Sequence, residues 1–200
     1  MTFQNKLVRF LENHDEARSA VVFGKVRLQA LGVLMATLPG MRLYYQGQLT
    51  GTRIQVPVQL CRVQEESSDE TTGAFYNRIL AITNEEVFHV GQWTLLTIES
   101  AGDDSFHNVI AYQWKTTQDW RLIVLNLSAL AVQCVIEVRG EHGNETFQVS
   151  DYVFVDLFTS QRFERRQEDL KYHGLFIRLD PFECHVFSIS PSGRVHSAKS

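Results

Sequence analysis

The sequence has 200 residues, of which 44% are hydrophobic and 21% are charged, and a chain of this length and composition can bury a sizeable core. Its formal net charge of −4 gives no electrostatic basis for binding nucleic acid or an anionic membrane. No apolar run reaches the roughly 18 residues that a transmembrane helix needs, and the N-terminal stretch MTFQNKLVRF lacks the hydrophobic region of a signal peptide.

The first part of the chain, to about residue 88, alternates short strands with helices. The apolar run KLVRFL at 6–11 predicts a strand. Residues 16–37 predict a helix that Pro39-Gly40 ends, because apolar residues recur there at helical spacing: Leu28, Leu31, Met35 and Leu38. MRLYYQG at 41–47 predicts a second strand, and 73–88 predict another helix, for which the candidate caps are Ser67, Ser68 and Asp69. Strand, helix and strand joined by short connections indicate a βαβ unit with parallel pairing.

The second part, from about residue 90 to 190, consists of short β-rich runs separated by polar turns. These runs are WTLLTIES, HNVIAYQWK, WRLIVLNLS, VQCVIEV, YVFVDLF, LFIRLD and HVFSIS. Seven or eight short strands at this spacing predict an antiparallel, Greek-key-like sandwich. We expect this domain to occupy residues 89–190, and the polar residues 191–200 to form a flexible tail.

The cysteines and tryptophans favour structural roles. The three cysteines are far apart and form no CxxC spacing, so we interpret them as buried thiols and not as a zinc site or a disulfide framework: Cys61, Cys134 and Cys184. The three tryptophans lie in strand runs, where packing in the core is the usual role, although an exposed tryptophan could stack on a sugar ring: Trp93, Trp114 and Trp120.

The stretch FLENHD at 10–15 concentrates polar groups directly after the first predicted strand. One interpretation is structural, with Asp15 as the N-cap of the following helix and His14 as its polar neighbour. The other is functional, because reactive groups of α/β barrels lie where the strands end. The residues of this stretch alone leave both interpretations open.

Two motifs and their order decide between these interpretations. FLENHD reads as an aromatic residue, three further residues and then His-Asp. LPGMRLYYQGQ at 38–48 reads as Pro-Gly, an apolar strand and then Tyr-x-Gly-Gln. A helix with Phe75-Tyr76 and Ile79-Leu80 follows, and then an all-β domain that ends in LFIRLDPFECHVFSIS. In this order the chain resembles the C-terminal portion of the alpha-amylase family, glycoside hydrolase family thirteen.

This resemblance implies a mixed fold class, a partial (β/α) barrel remnant followed by an all-β antiparallel sandwich. Residues 1–88 would be the C-terminal remnant of a (β/α)₈ catalytic barrel, with strands seven and eight and their helices. Such a barrel needs eight strands and typically about 250 residues. The family takes its nucleophile from strand four and its general acid from strand five, so we expect neither group in this chain and no glycosidase activity from it alone.

The resemblance also implies roles for single residues. Asp15 matches the carboxylate that stabilises the transition state, and His14 matches the histidine that hydrogen-bonds the sugar beside it. Gln48 stands where the family often has glutamate, which puts a role for it in doubt. For Glu12, Glu16 and Arg18 we expect a solvated or capping role. The calcium sites common in the family lie mostly in parts not matched here, so we expect no metal and no cofactor.

Three functional hypotheses follow. The first is a C-terminal fragment of an alpha-amylase-family hydrolase or transglycosidase acting on α-glucosidic bonds, with an α-glucan or oligosaccharide as substrate of the complete enzyme. The second is a non-catalytic carbohydrate-binding or structural β-sandwich module. The third is one subunit of a split enzyme, whose partner is an N-terminal barrel half; a second copy of the chain is the other candidate partner. We expect a cytoplasmic location, with any signal peptide upstream of the matched part.

Overall fold

A computed structural model describes residues 3–57, 59, 64–138 and 151–192. The chain divides into two compact units, Met1–Phe88 and His89–Ser200. Within the described residues, no helix is long and apolar enough to cross a membrane.

The first unit contains a parallel pair of strands, as predicted. Strand β1 (Val8–Arg9) lies beside β2 (Met41–Arg42). The amide of Met41 donates to the carbonyl of Leu7, and the amide of Leu43 donates to the carbonyl of Arg9, both at 2.9 Å. Each strand has two residues, so the regular pairing is shorter than the apolar runs that predicted it.

The helix between the two strands is broken, whereas the sequence pattern predicts one continuous helix over 16–37. Helix α1 spans Ser19–Val22, and helix α2 spans Gly24–Thr37. The break falls at Gly24, whose φ of +67° lies in the left-handed region that glycine adopts without strain. Helix α2 ends as predicted, because Leu38 is extended before Pro39.

Helix α3 (Glu70–Thr83) packs against α2, and a single turn, α4 (Val87–Val90), follows it. Asp69 is the N-cap of α3, since its Oδ1 accepts the Thr72 amide at 3.1 Å. This confirms one of the three predicted caps. A Cβ atom at Gly32 of α2 would lie 2.8 Å from Cε1 of Phe75, so a glycine is what lets the two helices approach so closely.

The second unit is built from two antiparallel sheets. The larger has the order β3-β5-β6-β11-β8-β9, formed by β3 (Gln92–Leu95), β5 (Val109–Lys115), β6 (Trp120–Asn126), β11 (Cys184–Pro191), β8 (Asp151–Asp156) and β9 (Arg162–Arg166). The smaller has the order β10-β7-β4, formed by β10 (Leu175–Leu179), β7 (Val132–Ile136) and β4 (Ile98–Ser100). Helix α5 (Gln167–His173) connects β9 to β10. Short 3-10 helices occur at Gln4–Lys6, Gln48–Thr50 and Asp104–Asn108.

The core of the second unit is formed by buried apolar side chains from both sheets, among them Leu122, Cys134, Phe154, Ile177 and Phe187. The predicted fold class, a partial barrel remnant followed by an antiparallel sandwich, is therefore confirmed. Two details differ. The run WTLLTIES forms two strands in different sheets, and the sequence patterns missed β9 and α5.

The structural interpretation of the tryptophans and of one cysteine is confirmed. Trp114 and Trp120 are buried, and Trp93 is partly buried. Cys134 is fully buried and Cys184 partly so, and burial raises the pKa of these thiols to about 11 and about 12, respectively. Cys61 lies outside the described residues.

Candidate functional site

The predicted site residues His14 and Asp15 lie side by side in the loop that follows β1. Their side chains are 57% and 78% exposed, and Nε2 of His14 lies 3.3 Å from Oδ2 of Asp15. Because β1 and β2 are parallel, the loops after both strands leave the sheet at the same edge, which is where barrel enzymes carry their reactive groups. The role of these two residues stays a prediction.

A turn within the loop presents the Asp15 carboxylate to solvent. Oδ1 of Asn13 accepts the amide of Asp15 at 2.8 Å and the amide of Glu16 at 3.1 Å. An asparagine that binds the amides two and three residues ahead closes an Asx turn. The N-cap position of α1 is Arg18, so the interpretation of Asp15 as a helix cap is wrong. The same turn keeps Glu16 out of the helix, which begins later than predicted.

Glu12 and Arg18, which flank the His14–Asp15 turn in the sequence, form a buried ion pair. Nη1 of Arg18 donates to Oε1 of Glu12 at 2.7 Å, and Glu12 has no exposed surface. Oε2 of Glu12 accepts the Ser19 amide at 2.6 Å. We expected solvated or capping roles for Glu12 and Arg18. This is wrong for Arg18, because its side chain is buried and binds Glu12. For Glu12 the capping role is correct, since it accepts the Ser19 amide in the first turn of α1, but the side chain is buried and not solvated. The expectation holds for Glu16, which is exposed.

Arg18 also joins this loop to the segment that follows β2. Its Nη1 donates to the carbonyl of Gln46 at 2.8 Å, and its Nε donates to the carbonyl of Ile54 at 3.1 Å. The guanidinium lies over the ring of Tyr45, 4.8 Å from its centroid. One side chain therefore fixes two neighbouring loops to each other, and the sequence offered no signal for it.

Gln48 has a structural role in the segment that follows β2. It is 1% exposed, and its Nε2 donates to the Tyr76 hydroxyl at 2.9 Å, while its Oε1 accepts the amide of Tyr45 at 3.3 Å. Burial raises the pKa of Tyr76 to about 12, and the charge of Glu12 contributes in the same direction. An ionised glutamate at position 48 would accept hydrogen bonds only and would add negative charge to this buried cluster.

Burial also raises the pKa of Tyr44, whose ring meets that of Tyr76 edge to face. The hydroxyl of Tyr44 is buried, with no hydrogen-bond partner among the described residues. Among residues 3–57, 59, 64–138 and 151–192, no three His, Cys, Asp or Glu side chains come together in a way that could hold a metal ion.

Comparisons with known proteins show where this architecture occurs. No protein-family model matches the chain. A curated relative, the alpha-amylase MalA of Haloarcula japonica, is 28% identical over 121 residues, which is 60% of this chain and 18% of the relative.

Solved structures match more of the chain. The maltogenic alpha-amylase AmyB of Thermotoga neapolitana superposes on 90% of it with a TM-score of 0.67 at 18% identity. The alpha-amylase of Geobacillus thermoleovorans, solved with acarbose, superposes on 94% with a TM-score of 0.69 at 13% identity. The chain spans 40% of each of these two structures. The resemblance predicted from the motifs is thus confirmed: the chain is similar to the C-terminal portion of the alpha-amylase family of glycoside hydrolases, the end of the barrel followed by a β-sandwich domain.

Proposed function

We propose that this chain serves as the C-terminal portion of an enzyme that cleaves or transfers α-glucosidic bonds. In this proposal Asp15 stabilises the positive charge that develops in the transition state, and His14 hydrogen-bonds a sugar hydroxyl. The observation that carries the proposal is the exposed His14–Asp15 pair, set in an Asx turn at the carboxyl end of a parallel strand.

The chemistry suits the two side chains. Glycosidic cleavage passes through an oxocarbenium-like transition state, so an ionised carboxylate beside the sugar ring stabilises it more than the ground state. Nε2 of His14, 3.3 Å from the carboxylate, can orient Asp15, which leaves Nδ1 to hydrogen-bond a hydroxyl of the same sugar. This pair supports binding and charge stabilisation, but it supplies neither a nucleophile nor a general acid.

The buried carboxylate of the same loop, Glu12, cannot supply them. Glu12 has no exposed surface, and each of its oxygens already accepts a hydrogen bond, one from Arg18 and one from Ser19. Retaining hydrolysis needs two carboxyl groups about 5 Å apart on either side of the bond. We therefore propose that the two catalytic carboxyls come from a further part of the barrel, on the same polypeptide or on a partner chain.

Asp15→Asn in the complete enzyme tests the proposal, and Glu16→Gln is its matched control. Both substitutions remove one negative charge from the same exposed loop, but only Asp15 has the proposed role. Asp15→Asn should lower kcat on maltooligosaccharides by about 10²-fold or more, whereas Glu16→Gln should leave it near the wild-type value. Equal activity of the two variants would sink the assignment of Asp15. Turnover by the purified 200-residue chain, abolished by Asp15→Asn, would instead show that the chain holds a complete site.

A second candidate function, a non-catalytic carbohydrate-binding module, rests on a different observation. Trp114 and Trp120, two of the proposed stacking residues, are buried and cannot meet a ligand. The second unit instead has a cleft lined by phenylalanine and polar side chains, and this cleft has the composition of a small-molecule site.

A further inference from the structure

The cleft in the second unit lies between the edge strands of the two sheets. Its volume is about 310 Å³, near the lower end of the roughly 300–1,000 Å³ range of small-molecule sites. One wall comes from β9, an edge strand of the larger sheet, and the other from β10, an edge strand of the smaller sheet. Helix α5 connects these two edges.

The floor of the cleft is apolar and tightly packed. Phe187 meets Phe154 and Phe163 edge to face, with ring centroids 5.9 Å apart in both pairs. The ring of His185 stacks on Phe187 at 4.9 Å. These rings hold one another in place. Phe154 and Phe187 are only 1% and 5% exposed, so they form a rigid backing for the cleft and not a surface that a ligand contacts.

A buried carboxylate fixes the orientation of His185. Nδ1 of His185 lies 2.7 Å from Oδ2 of Asp156, which has no exposed surface. The other oxygen of Asp156 accepts the amides of Phe158 and Thr159, both at 2.8 Å. With Nδ1 held by the carboxylate, Nε2 is the ring nitrogen left to bind a ligand in the cleft. It lies 3.9 Å from Oε1 of Glu183, which is beyond a direct hydrogen bond.

The rim carries planar polar side chains and one exposed aromatic ring. Arg165, Arg178 and Glu183 line the opening, and Phe176 lines it while 54% exposed. The opening thus carries both signs of charge, with two guanidinium groups and one carboxylate. Guanidinium and carboxylate groups form paired hydrogen bonds with neighbouring hydroxyls, whereas the aromatic surfaces cover the apolar faces of a ring.

We propose that this cleft binds a short segment of a neutral oligosaccharide, with the sugar against the exposed ring of Phe176 and its hydroxyls on Arg178, Glu183 and Nε2 of His185. The choice of an α-glucan among oligosaccharides rests on the proposed function. An extended peptide added to an edge strand is the competing occupant, but the compact volume of the cleft favours a short sugar segment over a strand.

Titration of the 200-residue chain with maltoheptaose, followed by calorimetry and by amide chemical shifts, tests the proposal. Phe176→Ala and Arg178→Gln alter exposed side chains, so the fold should survive both. Each should weaken binding by about fivefold or more, since a lost aromatic contact or charged hydrogen bond is worth roughly 1 kcal/mol or more. Tyr172→Ala is the matched control, because Tyr172 is 70% exposed on α5 and does not line the cleft.

The outcomes separate this proposal from the role of Asp15. Shifts of β9 and β10 amides, weaker binding by both cleft variants, and wild-type affinity of Tyr172→Ala would support the cleft as a sugar site. Affinity that does not change in either cleft variant overturns the proposal, as does the absence of saturable binding. Stronger competition by inorganic phosphate or by an extended peptide overturns the ligand class. A cleft that binds sugar while Asp15→Asn leaves kcat unchanged in the complete enzyme would refute the proposed function alone.

Discussion

Replacing Arg18 with methionine should destabilise the first unit strongly. The substitution keeps most of the side-chain volume but removes the guanidinium, which binds Glu12 and the carbonyls of Gln46 and Ile54. Glu12, without exposed surface, would then have only the Ser19 amide as a partner. Breaking a buried ion pair in this way typically costs about 3–5 kcal/mol, a large share of the roughly 5–15 kcal/mol that holds a domain folded.

A double substitution separates the loss of the pair from the loss of packing. Glu12→Leu with Arg18→Met replaces both charges by apolar groups, and such replacements are often nearly neutral. We therefore expect the double variant to be more stable than Arg18→Met alone, with a coupling energy of at least about 1 kcal/mol. Equal stability of the single and double variants would refute the idea that the unpaired carboxylate causes the loss.

The assay has to report on the first unit specifically. All three tryptophans, Trp93, Trp114 and Trp120, belong to the second unit, so tryptophan fluorescence would follow the wrong part of the molecule. Amide hydrogen exchange measured by mass spectrometry resolves peptides from each unit. Arg18→Met should speed exchange in peptides covering 12–22 and 43–54 and leave the β-strand peptides unchanged. Wild-type protection in both of these segments would contradict the argument.

Three further substitutions test packing and electrostatics. Gly32→Ala should lower the melting temperature, because its Cβ would lie 2.8 Å from the ring of Phe75. Gly73→Ala should raise stability by up to about 1 kcal/mol through helix propensity, because its Cβ would meet no atom closer than 3.9 Å. A change of the same sign in both variants would contradict this reasoning. Burial raises the pKa of Asp156, but its bonds from His185 and from main-chain amides outweigh burial, so the net pKa is lowered. Its stabilising contribution is therefore complete above the ordinary aspartate pKa of about 4 and is lost as the pH falls through the lowered value. Asp156→Asn should reduce stability at neutral pH and flatten the acid limb of urea midpoints followed by tryptophan fluorescence, and an unchanged acid limb would argue against the sign.

The features that the sequence predicted are those set by local patterns. Alternating apolar runs marked the strands of the sandwich, Pro39-Gly40 marked the end of α2, and Asp69 marked the start of α3. In each case the cause lies within a few residues of the effect, in side-chain period, a fixed proline φ or a capping carboxylate, although the local pattern left Ser67, Ser68 and Asp69 as alternative caps. The pair His14 and Asp15 was found by motif, and the turn that exposes it is also local.

The features that the sequence did not predict depend on distant partners. Arg18 binds Gln46 and Ile54, 28 and 36 residues away, and nothing near it distinguishes a buried arginine from a surface one. Strand β9, with the sequence RFERR, has one apolar residue among charges, so it lacks an apolar period although it pairs fully with β8. One of these charged residues, Arg165, also contributes to the polar rim of the cleft.

The exposure of Asp15 limits what this carboxylate can do by itself. Two unit charges 4 Å apart attract by about 1 kcal/mol in bulk water and by about 4 kcal/mol at an effective dielectric constant of about 20, where the protein excludes part of the water. Since each 1.36 kcal/mol is a tenfold change in rate, the same carboxylate stabilises a positive transition state about fivefold in the first setting and about a thousandfold in the second. With 78% of its side chain exposed, Asp15 here is close to the first setting. The Glu12–Arg18 pair can hold the loop in place, but only further walls around the sugar can exclude water. Asp15→Asn should thus weaken sugar binding to this loop only slightly in the 200-residue chain, and a large effect there would mean that the chain already excludes water from the site.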